Sequence, residues 1–296
     1  LSRSNFTCKK LTFNDNEGNQ VTNLYAYYGS GEKNLCFSGH VDVVPPGDLN
    51  SWNIPPFEGI VQDNKVFGRG TIDMKGGLVA YIAAALKYIK TNPNDHSIKL
   101  SFLITGDEER ESKGGMIKML KWLKQNNHKI TACLIAEPTS HNTLGDTIKN
   151  GSRGSLLFNL IVKGIQGHVA YHKQASNPIT TLINTLHDLK KFKLDDGTKF
   201  FEPSNLEVTN IEVHNKATNV IPAQAQAQFC IRFNNQHSQD SLSKLIHNMI
   251  KNHTVNYSLT EILSGEAYIV NNKEFTKVIQ NSVKNIMNIE PIVSAN

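Results

Sequence analysis

Asn34-Leu35-Cys36-Phe37-Ser38-Gly39-His40-Val41-Asp42 is a short apolar run that stops at a glycine and then delivers a histidine and an acid two residues apart. Such a run reads as a buried strand, residues 34–38. Side chains two apart on extended chain point the same way, so His40 and Asp42 can touch one centre. The pattern recurs downstream. Residues 99–105 (KLSFLIT) run into Gly106-Asp107-Glu108-Glu109, and residues 132–136 (ACLIA) run into Glu137-Pro138-Thr139. Between them, residues 76–90 place Leu78, Ile82, Ala85, Leu86 and Ile89 at helical spacing, and residues 114–124 read as a second helix. Strands alternating with helices predict an α/β fold, a sheet with helices packed on its faces. In open sheets of this kind ligands collect beyond the carboxyl ends of the strands, where the polar clusters stand.

From about Gly151 the pattern changes. Residues 155–163 and 223–233 alternate like half-exposed strands, while residues 178–189 and Gln239–Lys251 read as helices. This predicts an α+β domain over residues 152–265, interrupting a first domain made of residues 1–151 and 266–296. An amphipathic helix over 274–287 would rejoin the first sheet.

The chemistry lies in the polar clusters. Gly68-Arg69-Gly70-Thr71-Ile72-Asp73-Met74-Lys75-Gly76-Gly77 puts an acid in a glycine-rich loop that opens a helix. Alone, Asp73 reads equally well as a helix cap. Phosphate is a poorer partner, because neither phosphate-loop spacing is present and an acid repels an anion. Asp107, Glu108 and Glu109 repel one another, and a cation resolves that repulsion. Each cluster is ordinary by itself; four successive ones supplying His, Asp, Glu-Glu and Glu are a rare combination. An oxygen-rich site with an imidazole suits zinc or cobalt better than magnesium or calcium. Paired metals of that kind activate water and polarise carbonyls, which points to hydrolysis.

Composition narrows the partners. The net charge of +5 is scattered over lysines such as Lys9, Lys10, Lys190 and Lys191 and forms no basic block, which argues against nucleic acid and for an anionic small molecule. No apolar stretch approaches the ~20 residues of a membrane span, and the N-terminus carries no secretory signal. Cys8, Cys36, Cys133 and Cys230 lack CxxC spacing, and the last three lie in strand-like runs, so buried reduced thiols and a cytoplasmic setting are expected.

The runs SGHVDVVPPGD (38–48), WNIPPFEG (52–59), VFGRGTIDMKGG (66–77), ITGDEE (104–109) and AEPT (136–139) resemble, in order and spacing, the metal-site motifs of the M20 family of metallopeptidases and deacylases. KNGSRGS (149–155), GIQGHVAYHKQASNPI (164–179) and TNVIPA (218–223) extend the likeness over nearly the whole chain. The resemblance implies a zinc-peptidase-like catalytic domain with helices on both faces of a mixed sheet, interrupted by an α+β dimerisation (lid) domain, with two Zn²⁺ per subunit in the full-length protein and Co²⁺ possible in one site. It implies His40 and Glu137 as ligands of the first zinc, Asp73 as the bridge, Glu109 as a ligand of the second, Asp42 as the carboxylate that orients His40, and Glu108 as general base. A cis peptide after Asp73 is implied as well. In the lid, His168 would be an oxyanion donor reaching the partner subunit's site, with Asn219 beside it, and Arg153 and Arg232 would bind substrate carboxylates.

The activity implied is cleavage of N-succinyl-L,L-2,6-diaminopimelate, a dicarboxylate amide, to succinate and L,L-2,6-diaminopimelate by a homodimer in lysine and cell-wall precursor synthesis. A sibling deacylase of the acetylornithine type and a catalytically dead binding module are the alternatives. Against the family pattern the sequence reads as truncated at both ends, lacking an opening helix and stopping before a Gly-Gly-Thr-Ser-Asp segment and a later histidine ligand. His187, His214, His237, His247 and His253 match no motif and read as surface residues.

Overall fold

The structure, a computed structural model, describes residues 1–110 and 112–295. Asn296, the last residue of the first domain as read from sequence, lies outside the described residues. Two compact units divide the chain, Leu1–Pro138 and Thr139–Asn296.

In the first unit, a turn of 3-10 helix at Ser2–Ser4 precedes β1 (Thr7–Asn14). β2 (Gln20–Tyr28), β3 (Lys33–His40), β4 (Ile98–Thr105) and β5 (Ala132–Ile135) follow, with α1 (Gly76–Thr91) and α2 (Met116–Gln125) between them. The sheet order is β1-β2-β4-β3-β5. β1 to β2 and β2 to β4 are antiparallel, whereas β3 is parallel to both β4 and β5. The sheet is therefore mixed, as the resemblance implies.

Alternation along β3 sends neighbouring side chains to opposite faces. Phe37 joins Leu78 and Ala85 of α1 in one cluster, and Cys36 joins Met119 and Leu123 of α2 in the other. The two helices thus lie on opposite faces. The chain leaves β3 for β4 on one side, then crosses to β5 on the other, so β3 stands where the connections diverge. The carboxyl ends of β3, β4 and β5 open onto one rim there.

In the second unit, β6 (Gly154–Lys163), β7 (Asn205–Glu212), β8 (Gln224–Phe233) and β9 (Tyr257–Gly265) form an antiparallel sheet in the order β7-β8-β6-β9. Leu156, Phe158, Leu160 and Val162 of β6 and the alternate residues Ala225 to Phe233 of β8 face α3 (Pro178–Lys191) and α4 (Gln239–Lys251), which supply Leu182, Leu186, Leu242, Ile246 and Ile250. Helix α5 (Lys273–Met287) is present, and Ile292–Ser294 after it pairs in parallel with Thr147–Lys149.

Two sequence expectations need correction. Cys133, on edge strand β5, is exposed rather than buried, and Cys230 is only partly covered. His237 is not a surface residue: its side chain is 16% exposed and its Nε2 lies 3.0 Å from Asp195 Oδ2. Asp195 also accepts hydrogen bonds from the main chain of Gly197 and Ser204 and from Asn234 Nδ2, so the histidine closes a polar knot under the sheet end.

Candidate metal centre

His40 is the last residue of β3 and is 1% exposed. Gly39 permits this, since a Cβ there would fall 2.6 Å from Met74 Cε, and Met74 Sδ accepts the His40 main-chain N–H at 3.3 Å. Met74 is fully buried and follows Asp73 through a cis peptide. A buried anchor therefore sets the loop that carries Asp73, a role the sequence reading did not give Met74. Gly77 likewise lets α1 approach the loop after β5, where a Cβ would sit 2.7 Å from the Ala136 carbonyl oxygen.

His40 Nδ1 lies 2.9 Å from the main-chain carbonyl of Asp42, so its N–H donates there and Nε2 is the free edge of the ring. Nε2 faces Asp73 Oδ1 at 3.1 Å, Glu137 Oε1 at 3.6 Å and Glu108 Oε2 at 4.0 Å. A lone pair turned toward three carboxylates meets only acceptors. A second proton or a metal ion satisfies it, and the donor set fits a metal.

The described residues contain two groups whose ligand atoms lie within 4.8 Å of one another: His40, Asp73 and Glu137, and His40, Glu108 and Glu109. Asp73 falls in the first group and not in the second. Asp42 meets the ring with its main-chain carbonyl as well as with its carboxylate. Its Oδ1 is 3.5 Å from Nδ1, while its Oδ2 accepts the main-chain N–H of Glu108 at 2.9 Å and of Glu109 at 3.0 Å. Of the three adjacent acids, Asp107 turns inward. It is 4% exposed and accepts the Gly114 N–H at 2.8 Å, which ties the acidic turn to the entry of α2.

The charges show what the site wants. Burial and the neighbouring Asp73 push the Glu137 carboxyl up to about 7. Burial, with Glu109, Asp42 and Asp73 nearby, also raises Glu108 against the opposing pull of His40. Burial alone would lower His40, but the Asp42 carbonyl, Asp73, Glu137 and Glu108 outweigh it and hold the imidazole above its ordinary value. In all three the folded protein binds protons more tightly than the unfolded chain, so the metal-free fold loses stability as pH rises. For Glu137 the loss runs from the ordinary 4.5 to about 7. The metal-free protein is therefore expected to melt at a lower temperature at pH 7.5 than at pH 5, and added Zn²⁺ to raise the melting point most at pH 7.5. Thermal melts in chelator and in zinc at both pH values check this; a metal-free melting point that rises with pH contradicts it.

The second unit brings the other sequence candidates together in pairs. Gly167–His168 pairs with Val220–Ile221, which sets His168 beside Asn219. Ala170 N–H donates to His168 Nδ1 at 3.1 Å, and Asn219 Nδ2 lies 3.3 Å from His168 Nε2. Both residues are exposed. Arg153 Nη1 donates to Asn205 Oδ1 at 3.1 Å, and Asn205 is the register partner of Arg232, so both arginines meet at one end of the sheet.

The model of peptidase family M20/M25/M40 matches residues 36–296. A succinyl-diaminopimelate desuccinylase of Rickettsia bellii is 46% identical over 98% of this chain and 75% of its own length. Among solved structures, an M20-family metallo-carboxypeptidase of Sulfolobus solfataricus superposes with a TM-score of 0.73 at 17% identity, covering 97% of this chain and 77% of that one. A Bacillus subtilis protein described as a dinuclear metal-binding peptidase of the M20 family gives 0.63 at 13% identity, covering 100% of this chain and 74% of that one.

Proposed function

The chain belongs to peptidase family M20/M25/M40, and we propose that it is a metal-dependent amidohydrolase that cleaves N-succinyl-L,L-2,6-diaminopimelate to succinate and L,L-2,6-diaminopimelate. The observation that carries the substrate is the 46% identity, over 98% of the chain, with a desuccinylase. His40, Asp73 and Glu137 would hold one divalent cation, and Glu109 with Asp73 a second; zinc, with cobalt possible in one site, suits this mixture of imidazole and carboxylate. When bound, such ions polarise an amide carbonyl and lower the pKa of water.

The chain's own groups do the rest. Glu108 takes the proton from the attacking water and passes it to the departing amine, a task suited to a carboxyl held above its usual range. Asp42 holds the ring of His40 through its carbonyl. His168 and Asn219 serve the carbonyl oxygen as it gains charge. Arg153 and Arg232 bind substrate carboxylates, for which the planar guanidinium is shaped.

We assign the catalytic domain to residues 1–151 and 266–296 and the dimerisation domain to 152–265, in a cytoplasmic homodimer acting in diaminopimelate and lysine biosynthesis. Among the described residues no helix is long and apolar enough to cross a membrane. The test is release of succinate from N-succinyl-diaminopimelate beside release of acetate from acetylornithine. Preference for the first is expected; preference for the second assigns the chain to a sibling deacylase, and inertness toward both leaves a binding module.

A further inference from the structure

We infer that Asp42 is the positioning residue of the acidic turn: its carboxylate grips the main-chain amides of Glu108 and Glu109 and so fixes where both side chains stand relative to His40. The inference rests on the reading of Glu108 as proton acceptor and Glu109 as ligand. Asp42 also faces His40, with its carbonyl 2.9 Å from Nδ1. The nearer carboxylate oxygen is 3.5 Å from Nδ1, outside normal hydrogen-bond length, and although buried it has no hydrogen-bond partner. Oδ2, by contrast, accepts two successive N–H groups at 2.9 and 3.0 Å. With the Asp42 side chain 18% exposed, water competes weakly for that oxygen. Hydrogen bonds to a carboxylate are stronger than those between neutral groups, so these two tie the turn to the segment that follows β3.

The tie matters because the glutamate side chains themselves are not held by packing. Glu108 is 50% exposed at its side chain, and its Oε2 stands 4.0 Å from His40 Nε2. Beyond Thr105, the end of β4, Asp107 secures the far side of the turn through Gly114, and Asp42 secures the near side. One residue therefore serves both halves of the centre, its carbonyl setting the imidazole and its carboxylate setting the acids. A shift of about 1 Å in such a group costs on the order of 10²-fold in rate.

Amide hydrogen exchange on the metal-free protein tests this without reference to turnover. Asp42→Asn retains a side-chain oxygen that can accept both N–H groups, and Asp42→Ala retains none. Exchange at Glu108 and Glu109 is expected to speed up by about tenfold or more in Asp42→Ala, the scale of a lost hydrogen bond to a charged group, and to stay near wild type in Asp42→Asn. Metal affinity, measured against a competing chelator, is expected to fall about 10–100-fold in Asp42→Ala and much less in Asp42→Asn. Unchanged exchange in Asp42→Ala, or equal losses in the two variants, overturns the inference. If Asp42→Ala does not fold, Asp42→Ser replaces it, since its hydroxyl is too short to span both amides. Glu108→Gln, run in parallel, separates the two readings: if it keeps turnover, the role of Glu108 is wrong while the exchange result on Asp42 still stands.

Discussion

Replacing Glu108 by glutamine is expected to lower turnover by about 10²–10⁴-fold while leaving metal content unchanged. The substitution keeps the shape of the side chain and leaves the main-chain amide that Asp42 holds untouched. What it removes is the ability to take a proton. The carboxyl is suited to that exchange because burial and the charges of Glu109, Asp42 and Asp73 raise it above its ordinary value, bringing it nearer the pH at which a group both accepts and returns a proton. Metal content is the decisive control, because Glu108 also stands in one of the two ligand groups, with His40 and Glu109. Metal analysis of purified Glu108→Gln therefore has two informative results. Full metal with lost turnover supports the proton acceptor; metal lost together with turnover makes Glu108 a ligand and leaves the acceptor to be sought elsewhere.

The parts of this centre legible from sequence were those written locally. An apolar run ending in Gly39-His40 marks a strand end by itself, and the same holds for Thr105 before the acids and Ile135 before Glu137. Helices α1 to α5 were legible for a similar reason, since apolar residues at helical spacing are a local pattern. The parts not legible depend on which atom meets which across the fold. His-x-Asp spacing places two side chains on one side but does not say that the carbonyl of Asp42 takes the ring while its carboxylate crosses to another strand end. Three adjacent acids look alike until packing turns Asp107 inward to Gly114 and leaves Glu108 and Glu109 outward. Cys133 shares the apolar character of Cys36 and is its register partner, yet Cys36 lies in the interior of the sheet and Cys133 on its edge, and strand order is not a local property. His237 was misread likewise, because its partner Asp195 is 42 residues away.

Mixing two inactive variants, His168→Ala and Glu108→Gln, is expected to restore about one quarter of wild-type activity if the protein works as a two-fold dimer with His168 serving its partner. All the metal-group residues fall in the unit Leu1–Pro138, whereas His168 and Asn219 fall in Thr139–Asn296, where both are exposed and lie side by side. Loss of one oxyanion donor costs roughly 10²–10³-fold in rate, so each variant alone is nearly silent. On random exchange, about half of the dimers are mixed, and each mixed dimer combines the Glu108 of one chain with the His168 of the other in one of its two sites; half of a half is the quarter expected. Subunit exchange is verified first, by mass spectrometry of differently tagged chains. Recovery near one quarter assigns His168 to the partner's site. Full exchange without recovery places it in its own chain's site or outside the reaction, and a protein that sediments as a monomer while active removes the dimer from the mechanism altogether.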